Sequence, residues 1–167
     1  MISLYPMSAG EFDAFALRST GDYALEKASA GEVAAQDAMD LARAEFQRLL
    51  PAGLHTPGHH FFVLRNHADG LSVGALWAQE RQRGSTLTMH VLDIHVVPEQ
   101  RRRGFARAAL QALEQHAQAL GASEITLHVF GHNLAAQALY AGMGFRVTDV
   151  SMAKALSPGR EEDRHVS

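Results

Sequence analysis

The sequence predicts an α/β fold in which helices cover a mixed sheet, and three observations support this. Three short segments between residues 61 and 97 carry the alternation of a strand meander. Apolar residues in two other segments, 31–50 and 103–120, recur at helical spacing. A strand–helix–strand unit from Leu87 to Phe130 requires one parallel pair of strands. The predicted order is strand, two helices, three strands, helix, strand, helix, strand.

The N-terminal part begins with a short strand, MISLY, followed by a helix start. Ser8 is the predicted N-cap, and Glu11 lies three residues further on, which is the pattern of a capping box. The helix predicted over 31–50 ends at Pro51. The segment 51–60, PAGLHTPGHH, is predicted to be a loop because of its proline and glycine content.

The middle of the chain predicts three antiparallel strands separated by the turns NHADG and RQRGS. Those strands are FFVLRN, LSVGALWAQE and TLTMHVLDIHVV.

The second half predicts the clearest helix, which begins near Arg103 and ends before Gly121 in the C′ position. Its apolar face consists of Ala106, Leu110, Leu113, Ala117 and Leu120. EITLHVF is the next predicted strand. Asn133 is expected to cap a short helix that runs to about Met143, and FRVTDVSMAKAL to form a final strand.

The composition limits the classes of function. A chain of 167 residues suits one domain, predicted over 1–156, with a polar tail at 157–167. The net charge of −3 argues against a nucleic-acid partner, and no apolar stretch is long enough to span a bilayer. The absence of cysteine excludes disulfides, thiolate metal sites and cysteine nucleophiles. The first residues lack a secretory signal pattern, so we expect a cytoplasmic protein.

The segment EQRRRGFARAAL concentrates positive charge in a turn that leads directly into a helix. The first N–H groups of a helix have no partner within it, and the helix dipole is positive there, so a phosphate binds well at this end. Gly104 and Ala106 allow an anion to approach the backbone, and the surrounding arginines add charge. A solvated arginine turn that happens to precede a helix is the alternative. The residues predicted to form this phosphate site are Arg101, Arg102, Arg103, Gly104, Phe105, Ala106 and Arg107.

Two motifs together resemble the GNAT (GCN5-related) N-acetyltransferase family. Arg101, Gly104 and Ala106 match the family's (Arg/Gln)-x-x-Gly-x-(Gly/Ala) pyrophosphate loop. The segment 133–146, NLAAQALYAGMGFR, is similar to the family's Asn-x-x-Ala-x-x-Leu-Tyr-x-x-x-Gly-Phe. The resemblance covers about residues 60–150. It implies a GNAT fold, with a mixed central sheet of about six or seven strands flanked by about four helices.

The resemblance also implies acetyl-CoA as co-substrate and transfer of its acetyl group to a primary amine. The pantetheine arm would bind the edge of the fourth strand at Ile94, His95 and Val96. This strand must separate from its neighbour EITLHVF there to leave the edge free. Asn133 and Tyr140 are further cofactor contacts. Because no cysteine is present, direct attack in a ternary complex is the expected mechanism.

Direct attack needs a neutral amine and a protonated leaving group. Tyr140 matches the family's proton donor to the thiolate. His90 matches the position of a catalytic glutamate in histone-acetylating members, and Asp93 is the acidic alternative base. For both candidate bases a purely local packing role stays open.

The acceptor is a small-molecule or peptide amine whose identity the sequence leaves open. The candidate acceptor residues are Tyr23, Leu54, His55 and Phe61. His55, His59 and His60 are grouped in the predicted loop, but their spacing is not that of a zinc site, so no metal is expected. A homodimer is possible. Two other functions remain: a non-catalytic acyl-CoA sensor, and an interaction or nucleic-acid module that uses the arginine turn.

Overall fold

The computed structural model describes residues 1–29, 31 and 33–156, and it has the predicted α/β architecture. Five strands and four α-helices form in the described residues. In chain order they are β1 (Ile2–Pro6), α1 (Ala9–Ser29), α2 (Ala35–Leu49), β2 (His59–Asn66), β3 (Ser72–Arg83), β4 (Thr86–Val96), α3 (Phe105–Ala119), β5 (Glu124–Leu127) and α4 (Leu134–Ala141).

The sheet has fewer strands than predicted, because the expected final strand does not form. Residues 145–156 carry no strand among the described residues, and Val147, Val150 and Met152 are largely exposed there. An alternating pattern predicts an extended chain, but a strand also needs a hydrogen-bonded neighbour. The predicted tail at 157–167 lies outside the described residues.

The chain divides into two compact units, Met1–His132 and a second that begins at Asn133. The first unit contains the whole sheet with α1, α2 and α3. The second contains α4 and, among the described residues that follow it, no further helix or strand.

The strands lie in chain order across the sheet, β1-β2-β3-β4-β5. The first four are antiparallel, and β4 pairs with β5 in parallel through α3. The predicted meander and the predicted parallel unit are therefore both confirmed.

The two faces of the sheet pack against different helices. On one face, Phe12 and Phe15 of α1 pack against Phe61 of β2 and Trp77 of β3. On the other face, His116 of α3 lies 5.2 Å from the ring of Phe62, the next residue of β2. Leu110 and Leu113 of α3 are fully buried, as are Leu64, Leu76 and Met89 of the sheet.

The predicted capping residues are in place. Ser8 donates its N–H (2.9 Å) and its hydroxyl (2.8 Å) to Glu11 Oε2, so the capping box is confirmed. Gly121 follows α3 with a φ of 84°, the left-handed conformation expected of a C′ glycine. The Asn133 side chain accepts a hydrogen bond from the Ala136 N–H at 3.1 Å.

The prediction that 51–60 is a loop is wrong at its end. Gly53–His55 is a 3₁₀ turn, and His59 and His60 already belong to β2. No described helix combines the length and the apolar character that crossing a bilayer requires.

Candidate active site

The strands β4 and β5 separate half-way along β4. They pair from Thr88–Glu124 to Val91–Leu127. Beyond that point β4 stays paired with β3 up to Val96, while its other edge has no strand partner among the described residues. A free strand edge of about five residues therefore leads from this fork to the C-terminal end of β4.

The peptide N–H and C=O groups of successive residues in β4 point alternately to β3 and to the free edge. The Val97 N–H donates to the Val73 carbonyl on β3 at 3.0 Å, so the peptide groups of Val97 and His95 face β3. Those of Ile94 and Val96 face the free edge. His95 thus presents its backbone to β3, and its side chain lies on the face covered by α1.

Gly74 is the residue that lets β3 and β4 lie together at this point. A Cβ on Gly74 would lie 2.0 Å from the carbonyl oxygen of His95 and 3.1 Å from Cδ1 of Leu64. Since real side chains do not tolerate such a contact with backbone, only glycine fits here. The glycine therefore fixes the position of the β4 segment that carries the free edge.

A β-bulge brings the two candidate bases to one face. Trp77 pairs with Asp93 and Ala78 with Val91, so Leu92 is the extra residue on β4. Without the bulge, His90 and Asp93 would point to opposite faces, because they are three residues apart. With it, both lie on the face that α1 covers.

The free edge ends at the arginine turn and the start of α3. Arg102 has a φ of 62° and Gly104 a φ of 81°, and no side chain caps the helix. The first helical hydrogen bond runs from the Ala108 N–H to the Gly104 carbonyl at 3.0 Å, so the amides of the first turn precede it. Phe105 is buried and anchors this helix end to the core.

The arginines of the turn differ in their contacts. Arg101 donates from Nε to the Val96 carbonyl of the free edge at 3.0 Å. Arg103 binds the Gln100 side chain and lies 5.2 Å from the centre of the Phe105 ring. All three side chains of 101–103 are exposed. The turn therefore presents positive charge to solvent beside an uncapped helix start.

Asp93 forms an ion pair with Arg18 of α1. Arg18 donates to Asp93 and, through its other terminal nitrogen, to Asp22 at 2.8 Å. The Asp93 and Arg18 side chains are 20% and 25% exposed, so the pair is largely shielded from solvent. The pair joins α1 to the bulge of β4.

His90 is held as a neutral imidazole. Its Nδ1 lies 2.8 Å from Thr126 Oγ1 on β5. Burial, together with the neighbouring charges of Arg81, His128 and Arg83, lowers the pKa of His90 to about 4. His90 is thus uncharged at neutral pH.

Glu26, on the α1 face that carries Arg18 and Asp22, is a residue that sequence reasoning missed. Burial raises its pKa, and so do the charges of Asp22 and Asp93, against the opposing effect of His132 and His128. The spacing 18, 22, 26 was the available signal, since residues four apart share a helix face.

The predicted acceptor residues lie apart from one another. Phe61 is a buried core residue, stacked on Trp77 at 5.5 Å. Tyr23 donates its hydroxyl to Glu45 Oε2 at 2.9 Å and lines a 440 Å³ groove between α1 and α2. His55 ends the 3₁₀ turn, preceded by Leu54, which packs at the edge of the aromatic core.

His59 and His60 cannot share a metal ion, because successive strand residues point to opposite faces. His59 accepts from Trp77 Nε1 at 2.9 Å, whereas His60 lies 2.7 Å from Glu80 Oε1 on the α3 side. Nowhere in residues 1–29, 31 and 33–156 are three His, Asp or Glu side chains grouped so that they could hold a metal.

Asn133 and Tyr140 belong to the second unit. Asn133 caps α4, as described above. The Tyr140 ring lies 5.6 Å from the ring of Phe145, and the Phe145 N–H donates to the Tyr140 carbonyl at 3.1 Å. The roles of these two residues toward a cofactor remain predictions.

The two sequence motifs lead to a comparison of the whole chain with known protein families. The sequence model of the acetyltransferase (GNAT) family matches residues 23–145. The chain belongs to the GNAT family. The resemblance inferred from the two motifs is thereby confirmed.

The GNAT relatives of Bacillus subtilis align along nearly the whole chain. The uncharacterised N-acetyltransferase YycN is 38% identical over 93% of this chain and 99% of its own length. The uncharacterised N-acetyltransferase YdgE is 29% identical over 92% and 98%, respectively. The crystal structure of YycN superposes with a TM-score of 0.88 at 37% identity, covering 95% of this chain and all of YycN.

A more distant solved structure shares the fold alone. AAC(6')-Iy, in complex with the bisubstrate analogue CoA-S-monomethyl-acetylneamine, has a TM-score of 0.62 at 17% identity. The superposition covers 95% of this chain and 99% of that one.

Proposed function

We propose that this GNAT protein is an acetyl-CoA-dependent N-acetyltransferase that acts on a primary amine by direct attack in a ternary complex. The observation that carries the proposal is the fork of β4 and β5, whose free edge leads to the uncapped start of α3. A pantetheine arm carries amides that match a strand edge, and a pyrophosphate matches a helix start. One molecule, a coenzyme A thioester, has both groups in that order.

The thioester lies at the fork when the pantetheine binds the free edge. The N–H groups of Ile94 and Val96 are the donors that the free edge offers to the pantetheine arm. Of these two residues, Ile94 is nearer to the fork. A backbone N–H at that point stabilises negative charge on the thioester oxygen as the amine attacks. Arg101–Arg103 and the amides of Gly104–Arg107 hold the diphosphate.

The amine approaches from the face that α1 covers, where His90, Asp93 and His95 lie. An alkylamine has a pKa of about 10.4, so a proton must leave before attack. We assign His90 to orienting a water molecule that passes the amine proton to solvent, because its pKa of about 4 makes His90 itself a weak base and Asp93 is engaged by Arg18. The Asp93–Arg18 pair positions the acceptor and α1. Tyr140 is the proposed proton donor to the departing thiolate.

The test is a turnover assay that follows free thiol release from acetyl-CoA with a panel of amines. Product mass must increase by one acetyl group on the amine. We expect turnover with at least one primary amine, and a rate lowered at least tenfold in Tyr140→Phe. Binding of acetyl-CoA without transfer to any amine would instead favour the acyl-CoA sensor. A homodimer and a cytoplasmic location stay predictions of the sequence.

A further inference from the structure

Four polar side chains form a continuous row across four strands, on the face that α1 covers. His59 of β2 pairs with Gln79 of β3, Gln79 with His90 of β4, and His90 with Thr126 of β5. Residues that pair directly across a sheet point to the same face, so the four side chains are neighbours. We call His59, Gln79, His90 and Thr126 the polar row.

Arg81 lies two residues after Gln79 on β3, on the same face of the sheet, and its side chain extends over the polar row. Its Nε donates to Gln79 Oε1 at 3.1 Å. Burial is the largest cause of the lowered pKa values of His90 and His59, and the positive charge of Arg81 lowers both pKa values further than burial alone would. The guanidinium therefore lies close to both imidazoles, near the middle of the row.

Arg81 has no carboxylate partner in the part of the chain that the structure describes. Every other charge that shifts the pKa values of Arg81 and His90 is positive: Arg83 and His128. Burial itself lowers the pKa of Arg81, so the guanidinium is partly removed from water. Its two terminal NH₂ groups have no hydrogen-bond partner among these residues. A half-buried guanidinium with two free donor groups in one plane is suited to a carboxylate.

The polar row adjoins the fork where the acetyl group would lie. His90 and Thr126 are one pair before the last paired position, Val91–Leu127. From His90 to Ile94 the strand rises roughly 10–13 Å. A carboxylate bound to Arg81 would therefore lie several bonds away from an amine placed at the thioester. This distance is longer than the distance between the carboxylate and the amine of a simple α-amino acid.

We propose that the acceptor carries a carboxylate that Arg81 binds above the polar row, so that amine and carboxylate belong to one extended molecule. A short peptide acetylated at its N-terminus, or a diamino acid acetylated at its distal amine, has this arrangement. A polycation without a carboxylate would meet the like charge of Arg81 instead. This inference rests on the proposed function and names the substrate class of the same site.

The experiment compares acceptors that differ only in the carboxylate. Glycylglycine is paired with glycylglycine amide, and L-lysine with cadaverine. Each is titrated calorimetrically into the protein saturated with CoA, and each is assayed for turnover with acetyl-CoA. The proteins are the wild type, Arg81→Gln, Arg81→Lys and, as a matched control, Arg83→Gln. Arg83 is exposed, points to the same face two residues further along β3, and has no assigned role in the site.

We expect at least one acid to bind on the order of 10- to 100-fold more tightly than its partner without the carboxylate, as charge-assisted hydrogen bonds predict. The preference should disappear in Arg81→Gln, return in part in Arg81→Lys, and persist in Arg83→Gln. In the wild type, the bound acid should also raise the pKa of His90, which an NMR titration measures.

Equal use of the acids and their partners, or a preference that survives Arg81→Gln, would overturn the inference and leave the acetyltransferase proposal intact. Binding of acetyl-CoA with no binding or turnover of any of the four probes would also overturn it. The acetyltransferase proposal itself falls only when amines outside this panel fail as well.

Discussion

Gly104 offers a direct test of the diphosphate site, because two substitutions there separate backbone strain from charge. Its φ of 81° lies in the left-handed region, and a Cβ at this position would meet no heavy atom within 4 Å. Gly104→Ala therefore adds no clash, only a backbone cost of about 1–2 kcal/mol. Gly104→Glu has the same backbone cost and adds a negative charge beside the proposed diphosphate.

The charge sets the size of the expected effect. At a separation of roughly 5 Å, two unit charges repel by about 1 kcal/mol in water and about 3 kcal/mol at an effective dielectric constant of 20. A diphosphate carries about two negative charges in the bound cofactor, so Gly104→Glu should lose roughly 2–6 kcal/mol of binding free energy. That corresponds to a loss of affinity of about 30-fold or more, whereas Gly104→Ala should stay within about tenfold of the wild type.

Calorimetric titration with acetyl-CoA at low and moderate salt measures both losses. Gly84→Glu is the matched control, since Gly84 also has a positive φ (61°) and open space, but lies in the turn between β3 and β4. Denaturant unfolding of each variant checks that the fold is intact. If Gly104→Glu and Gly104→Ala bound acetyl-CoA equally well, the α3 start would not hold the diphosphate.

Three further predictions concern packing, the leaving group and pH. Gly74→Ala should destabilise the fold by about 3 kcal/mol or more, because its Cβ would lie 2.0 Å from the His95 carbonyl oxygen. Urea unfolding measures this, with Gly10→Ala as the harmless control, and an unchanged midpoint would contradict it. Tyr140→Phe should keep its affinity for acetyl-CoA while its kcat falls at least tenfold; wild-type kcat would exclude Tyr140 as the acid. The third concerns His90, whose folded pKa of about 4 lies below the ordinary 6.5. The unfolded chain therefore binds a proton that the folded chain does not, and wild-type stability falls between pH 6.5 and 4. His90→Gln should lose this part of the pH dependence in urea titrations at pH 7, 5 and 4, and an identical profile would contradict it.

Local signals in the sequence predicted much of the fold. The capping box at Ser8, the turn glycines of the meander and the C′ glycine after α3 each act through neighbouring residues, so a short window contains the whole cause. The same holds for the arginine turn, where a glycine and a helix start are adjacent in the chain.

Long-range pairing was not predictable in this way. The final strand was expected from its alternation, but residues 145–156 have no strand neighbour among the described residues. The bulge at Leu92 depends on how β4 meets β3, and it alone places His90 and Asp93 on one face. The Arg18–Asp93 ion pair joins residues 75 positions apart, which no local pattern records.

Titration of the wild-type protein with acetyl-CoA, with ATP and free CoA as comparators, shows whether the β4 edge and the α3 start bind one cofactor together. We expect micromolar binding of acetyl-CoA and of CoA, and much weaker binding of ATP, because ATP lacks the pantetheine arm that the β4 edge binds. Equal affinity for ATP would mean that the free edge contributes nothing. No binding of acetyl-CoA would contradict the assignment of both the edge and the helix start.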